Sequence, residues 1–319
     1  MRIVKFSHPK GWDGDYKSQF PNSDCVWDNY KFEINTTIKE CDFWIIHESV
    51  DVEEKVKCIK ENVIFLTSEE KQQKESYSIN YLAQFSKIIT TRNDIVHPHV
   101  LRYQYLSPWH VKKRYSELNL ITQIEKKSNL STITSDAAST SGHKKRYAFV
   151  NRLKGHFKDK LVWFGKGEQF IDDKWEGLQD FRYSIAMENS STPYYWTEKI
   201  ADCYLALTMP IYYGCPNIID YFPEKSFIQI DIDNYKAAIE GIEQAIEENY
   251  YQKNFDHLLR ARDLLLNTYQ FVPALVNILK YNEPTDTQKK NSILIKPETK
   301  FTKSTLQSRV FNKIKNTIM

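Results

Sequence analysis

Apolar residues in the first third of the chain fall into short runs separated by polar segments. Runs at 2–6, 42–47, 62–67 and 87–90 read as buried strands, and the segments 51–60 and 78–85 between them read as helices. That order is the pattern of a parallel α/β unit. After a weakly periodic connection over 105–127, strand-like runs resume at 130–134, 161–165, 182–187, 210–213 and 227–231. One helix between them starts near Gly142 and carries Tyr147, Val150, Leu153 and Lys154 at helical spacing. Another starts at Thr197, a suitable N-cap, with Ile200, Tyr204 and Leu207 on one stripe. From 234 to 280 the pattern is helical, with Ala237, Ile239, Ile242 and Ile246 on one stripe and Leu258, Leu259, Leu264 and Leu265 on the next. Two α/β halves with a cleft between them is the economical architecture. It divides the chain into 1–120, 121–282 with closing helices, and a basic, partly flexible tail over 283–319.

The charges at the two helix starts are unusual. Lys199 lies in the first turn of its helix, where the end of the helix dipole is already positive and a cation costs about 0.3–1 kcal/mol. An anion would remove that penalty. The other helix opens with Gly142-His143-Lys144-Lys145-Arg146, a second cluster of positive charge. Two such starts could offer backbone N–H groups, a guanidinium and an ammonium to one pyrophosphate, which suggests a nucleotide-linked substrate.

Composition narrows the classes. The formal net charge of +3 over 319 residues does not describe a protein coated in nucleic acid. The five cysteines, with no Cys-x-x-Cys pair, argue against a zinc site and a disulfide framework and fit a reducing compartment. Asp13-Gly-Asp15, Asp231-Ile-Asp233 and His97-Pro-His99 match bare metal-binding spacings that chance supplies readily, and no metal is assigned. No apolar run approaches a membrane span, and the opening residues pass from strand to polar loop, so a cytoplasmic chain is expected. In the tail, Leu306, Val310, Phe311, Ile314 and Ile318 recur at helical spacing beside Arg309, Lys313 and Lys315. Such a basic amphipathic helix can lie on the anionic inner face of a membrane, or serve as a partner-docking helix.

Three pieces of the stretch 181–231 carry a resemblance. Met187-Glu188-Asn189-Ser190, Tyr195-Trp196-Thr197-Glu198-Lys199 and Pro210-Ile211-Tyr212-Tyr213-Gly214 resemble, in order and close to spacing, the signature of the glycosyltransferase family 10 fucosyltransferases. The segment 142–149 is similar to that family's helix bearing a donor-phosphate arginine, which would be Arg146. The run 64–69 is similar to the strand ending in Thr-Gly-Glu that carries the proposed base, which would be Glu69, with Ser68 in place of the glycine. Pro108-Trp109-His110 also recurs in bacterial relatives. The resemblance covers roughly 40–280.

It implies a GT-B fold, two Rossmann-like α/β domains across a cleft, and an inverting enzyme that uses GDP-fucose without a required cofactor. Glu69 would take the acceptor proton, while Arg146 and Lys199 offset the charge of the departing diphosphate. Glu198 would accept hydrogen bonds from ribose, Asn189 and Tyr195 would contact sugar or nucleoside, and Glu188 would hold the loop or orient Lys199. The expected acceptor is a glycan or lipid-linked glycan in surface-polysaccharide or lipopolysaccharide synthesis. The alternatives are the same fold with another nucleotide-sugar donor, and a non-catalytic glycan- or nucleotide-binding relative, for which Ser68 leaves room.

Overall fold

The computed structural model describes residues 1–11, 15–68, 71, 74–136, 140–283 and 288–301. The first unit contains β1 (Arg2–Ser7), β2 (Val26–Trp27), β3 (Tyr30–Ile34), β4 (Phe43–His47), β5 (Glu54–Cys58), β6 (Val63–Thr67), the short helix α1 (Ile79–Leu82), β7 (Lys87–Thr90) and β8 (Val100–Arg102). All of these strands except β5 form one seven-stranded sheet, in the order β2-β3-β1-β4-β6-β7-β8. Its pairs are parallel, apart from the antiparallel β2–β3 ribbon. Strands β4 and β6 are buried along their whole length, as a sheet covered on both faces requires.

After α2 (Tyr115–Leu120) the second unit follows: β9 (Ser128–Ile133), α3 (Ser141–Phe157), β10 (Leu161–Phe164), β11 (Phe181–Met187), α4 (Glu198–Leu205), β12 (Met209–Tyr213) and β13 (Ile228–Gln229). The parallel sheet order is β10-β9-β11-β12-β13. Chain order reverses between β9 and β11, so a crevice opens beyond their carboxyl ends, the place where open α/β sheets bind ligands. Helices α5 (Tyr235–Glu247), α6 (Tyr250–Lys253), α7 (Phe255–Leu264) and α8 (Phe271–Lys280) complete the helical region.

Several expectations need correction. The segment 51–60 holds no helix. Its residues 54–58 form β5, which pairs antiparallel with β14 (Asn291–Ile295), from Glu54 opposite Ile295 to Cys58 opposite Asn291. The alternation of exposed and buried positions, with Val56 and Cys58 inward, is a strand period on a charged segment that charge alone makes look helical. By the same pairing the segment 289–295, read as part of a flexible tail, is folded onto the first unit. Ile295 is fully buried beside Val56, Trp44 and Tyr81. The expected tail helix at 306–318 lies outside the described residues.

The division between units also shifts. Helix α8, read as closing the second unit, packs into the first, where Phe271, Val272, Leu275 and Leu279 share a core with Val4, Phe6, Tyr16 and Phe43. The Phe271 ring lies 5.2 Å from Phe6 and 4.8 Å from Tyr16. In the other direction Trp109, Val111, Tyr115 and Leu118 belong to the core of the second unit. The chain therefore crosses between units twice, and each crossing is anchored by apolar burial. The predicted boundary at 120 falls too late because the connection lacks a clear period until it is seen packed.

If β14 is part of the first unit, Ile295→Ala should lower stability by about 2–4 kcal/mol in a urea melt, the range for truncating a buried isoleucine. An unchanged midpoint would mean that this segment is not docked.

Candidate active site

Strand β11 ends at Met187, and the next residue, Glu188, is fully buried. A carboxylate there needs partners, because an unpaired buried charge is very costly. Glu188 Oε1 accepts the backbone N–H of Thr197 at 2.8 Å, and Oε2 accepts the Thr197 hydroxyl at 2.8 Å. Lys199 Nζ stands 3.3 Å from the same Oε2. Thr197 in turn caps α4, its Oγ1 accepting from Lys199 N. The strand end thus holds the helix start directly. Burial pushes the Glu188 carboxyl upward, with Lys199 and the Thr197 donors opposing that shift.

Gly214, just after β12, has to be small here. A Cβ on it would stand 2.4 Å from Glu188 Cγ. Gly142, in the first turn of α3, meets the other side of the same loop, where a Cβ would fall 1.9 Å from the Asn189 carbonyl oxygen. The glycines let two helix N-termini approach one strand end. Thr140 caps α3 by accepting from His143 N at 3.2 Å.

These elements enclose a cleft of about 850 Å³ lined by His143, Arg146, Asn189, Glu198, Lys199 and Lys174, among others. Arg146 comes from the buried face of α3 and donates from Nη1 to the Met187 carbonyl at 3.1 Å. Burial lowers its pKa, while Glu188, Glu198 and Tyr195 act to raise it. No donor or acceptor among the described residues reaches Arg146 Nε or the buried Asn189 Oδ1. Arg146 and Asn189 both line the cleft, so these two atoms are buried polar groups at its wall without a hydrogen-bond partner among the described residues.

Glu198 is the first residue of α4, and its carboxylate meets three basic groups. Lys174 Nζ lies 3.1 Å from Oε1, Lys199 Nζ 3.5 Å and His110 Nδ1 3.8 Å. Burial alone would raise its pKa, but Lys174, Lys199 and His110 outweigh burial and hold it well below the usual carboxylate range. One turn on, Asp202 accepts from His110 N at 3.0 Å and stands 3.5 Å from Lys174 Nζ. Burial raises the Asp202 pKa despite Lys174 and His110.

The structure therefore gathers Arg146, Asn189, Glu198 and Lys199 on one cleft and places Glu188 beneath them as the carboxylate that orients Lys199. Tyr195 departs from expectation. It is only 3 % exposed, does not line the cleft, and packs edge-on against Tyr105 at 5.5 Å. Its neighbour Tyr194 is left-handed, at φ 69°. Glu69 lies outside the described residues. Its neighbour Ser68 is buried, donates to Leu106 O at 3.0 Å and receives a hydrogen bond from His47 Nε2 at 2.9 Å. That leaves His47 Nδ1 to accept from Tyr16 OH at 2.7 Å, and burial keeps the imidazole neutral, with its pKa pushed down to about 3. The serine that replaces glycine thus ties the end of β6 to two other segments, the connection at Leu106 and the end of β4, and through His47 to Tyr16.

Sequence reasoning missed Lys174, Asp202 and His110. Asp202 was legible, four residues after Glu198 and so on the same helix face. Lys174, in a short turn far from the signature, carried no local signal.

Residues 124–256 match the family described as "Glycosyltransferase family 10 (fucosyltransferase) C-term". A 73-residue segment is 37 % identical to alpha-(1,3)-fucosyltransferase FucT of Helicobacter pylori, covering 23 % of this chain and 15 % of that protein. A 93-residue segment is 33 % identical to alpha-(1,3)-fucosyltransferase B of Drosophila melanogaster, covering 28 % and 21 %. The matches thus span less than a quarter of either relative. A crystal structure of an alpha1,3-fucosyltransferase with GDP-fucose is similar in fold, with a TM-score of 0.53 over 91 % of this chain and 94 % of that one at 20 % identity. A second alpha1,3-fucosyltransferase structure gives 0.53 over 90 % and 91 % at 17 % identity. Two parallel α/β units with a ligand-sized cleft at strand ends place the fold in the GT-B class. Within that class, residues 124–256 are similar to the C-terminal domain of glycosyltransferase family 10.

The depressed Glu198 pKa has a consequence for folding. A carboxylate whose folded pKa lies below its unfolded value of about 4.3 adds stability that is present above that value and is lost as pH falls through the folded one. Glu198→Gln should therefore flatten the acid limb of the stability curve below about pH 5. An acid limb identical to that of the parent protein would mean that Glu198 is not held by Lys174 and Lys199.

Proposed function

We propose that this protein is an inverting glycosyltransferase that moves L-fucose from GDP-fucose to a hydroxyl of a surface-polysaccharide or lipopolysaccharide glycan. One observation carries the reading: two capped helix N-termini, Arg146 and Lys199 face one cleft, so four sources of positive potential meet where a diphosphate would lie. The relatives' names supply the sugar.

In this reaction the donor C1–O bond breaks as the acceptor oxygen attacks from the opposite face, and the nucleoside diphosphate leaves with the bonding electrons. Arg146 and Lys199 offset the charge that develops on the leaving oxygen, and the helix dipoles add to them. Glu198, kept ionised by its lysines, is an acceptor for ribose hydroxyls. Asn189 Oδ1 and Arg146 Nε, which no described residue engages, are available to the donor. Glu69, from the first unit, takes the acceptor proton in this scheme. The protein is read as acting in the cytoplasm at the inner face of a membrane, held there by the basic residues of 302–319.

A panel of GDP- and UDP-sugars tests the donor, and transfer from any donor except GDP-fucose overturns the fucose assignment. Arg146→Ala should weaken GDP binding by about tenfold or more, the scale of a lost charge-assisted hydrogen bond, as read by calorimetry. Unchanged affinity would remove the pyrophosphate argument. Glu69→Ala should lower turnover by about 10²–10⁴-fold while GDP affinity is kept, and full turnover would exclude it as base. For the membrane, the chain ending at Phe301 should bind anionic liposomes more weakly than the full chain, and equal binding refutes the tail's part.

A further inference from the structure

Glu198 and Asp202 lie four residues apart on α4, so two carboxylates share one helix face, an arrangement that is unfavourable without a cation between them. Lys174 is that cation. Its Nζ donates to Glu198 Oε1 at 3.1 Å and stands 3.5 Å from Asp202 Oδ2, within ion-pair distance of both carboxylates. The backbone that presents it is held by hydrogen bonds and burial. Asp173 caps the turn by accepting from Trp175 N at 2.9 Å, the same Oδ1 accepts from Lys112 N at 3.0 Å, and Trp175 is buried in the core of the second unit. Neither α3 nor the strand-end loop offers an equivalent group. Arg146 faces Met187 O, and Lys199 is already divided between Glu188 and Glu198.

We infer that Lys174 is a positioning residue for donor recognition, bridging Glu198 to Asp202 so that Glu198 faces the cleft as a fixed, ionised acceptor. The inference rests on reading this cleft as the donor site. The groups around Glu198 are Lys174 from the turn before β11, Lys199 and Asp202 from α4, His110 from the connection, Glu188 from the loop after β11 and Arg146 from α3. Removing Lys174 leaves three carboxylates, Glu188, Glu198 and Asp202, with Lys199 and Arg146 as the fixed cations. Such a cluster takes up a proton that its carboxylates share, and Glu198, without its nearest cation, is no longer held fully ionised and fixed and loses part of its capacity to accept. Raising the pH removes the proton and restores the acceptor.

Calorimetric titration of GDP into the full chain, with each variant referred to wild type at the same pH, separates these effects from the titration of the nucleotide itself. Lys174→Met should weaken GDP binding by about tenfold near pH 6 and by less than about threefold near pH 9, whereas Lys174→Arg stays within about threefold at both. Lys174→Gln serves the same purpose should the methionine variant not fold. A loss that is equal at both pH values, or no loss, overturns the inference, as does an arginine variant that behaves like methionine. Glu198→Gln should weaken binding at both pH values. If it does so while Lys174→Met behaves as wild type, only the role of Lys174 falls. If wild type does not bind GDP, or Glu198→Gln binds it normally, the donor-site reading falls as well.

Discussion

The cleft depends on one buried carboxylate. Glu188 sits at the carboxyl end of the central strand of its sheet, where β11 is paired on both sides and cannot shift, and it receives the first donors of α4. A glutamate in that position does what a longer capping box would do, but from another element. Because it also draws Lys199 Nζ to 3.3 Å, it turns a first-turn lysine that the helix dipole disfavours into part of an ion pair. Any change in its length or charge would move Thr197, and with it the helix start, Glu198 and Lys199 together.

The second constraint is charge balance in a small volume. Glu188, Glu198 and Asp202 face Lys174, Lys199 and Arg146, three formal charges of each sign. Buried pairs of this kind add little net stability against their desolvation cost, so their presence argues for a task beyond holding the fold. Asp202 links that cluster to the connection between units through His110 N, and Asp173 does so again through Lys112 N. The segment that enters the second unit is thus fastened to the same turn and helix that carry the cleft's acids and bases. A polyanion bound beside Arg146 and Lys199 would act on a network that already includes the interdomain connection.

How much of this could be read beforehand follows from where the signals are local. Strands β1, β4, β6 and β7, the five strands of the second sheet and the start of α4 were legible, because apolar runs, Thr197 as a cap and the spacing of Ile200, Tyr204 and Leu207 are properties of contiguous residues; β2, β3 and β8, short edge-side strands with little apolar pattern, were not. The gathering of Arg146 with Lys199 was legible as a shared oddity of charge. Lys174 was not, because its meaning comes from partners 24 and 28 residues away on another element. Strand β5 was misread since its ladder partner is β14, at the far end of the chain, and a short charged strand carries almost no pattern of its own. Tyr195 is buried against Tyr105, a packing that motif proximity alone does not reveal.

The packing of α8 and β14 onto the first unit bears on the cleft as well. Both come late in the chain, and α8 carries Phe271 between Phe6 and Tyr16. Tyr16 donates to His47, and His47 donates to Ser68 at the end of β6. The chain thus runs from the second unit's helices back through an aromatic cluster to the strand end that precedes Glu69. The neutral imidazole is suited to that place, since burial beside Phe6 and Tyr16 disfavours a charged one. Serine at 68 adds a hydrogen bond that glycine could not make, so the departure from the family pattern exchanges backbone freedom for a fixed strand end.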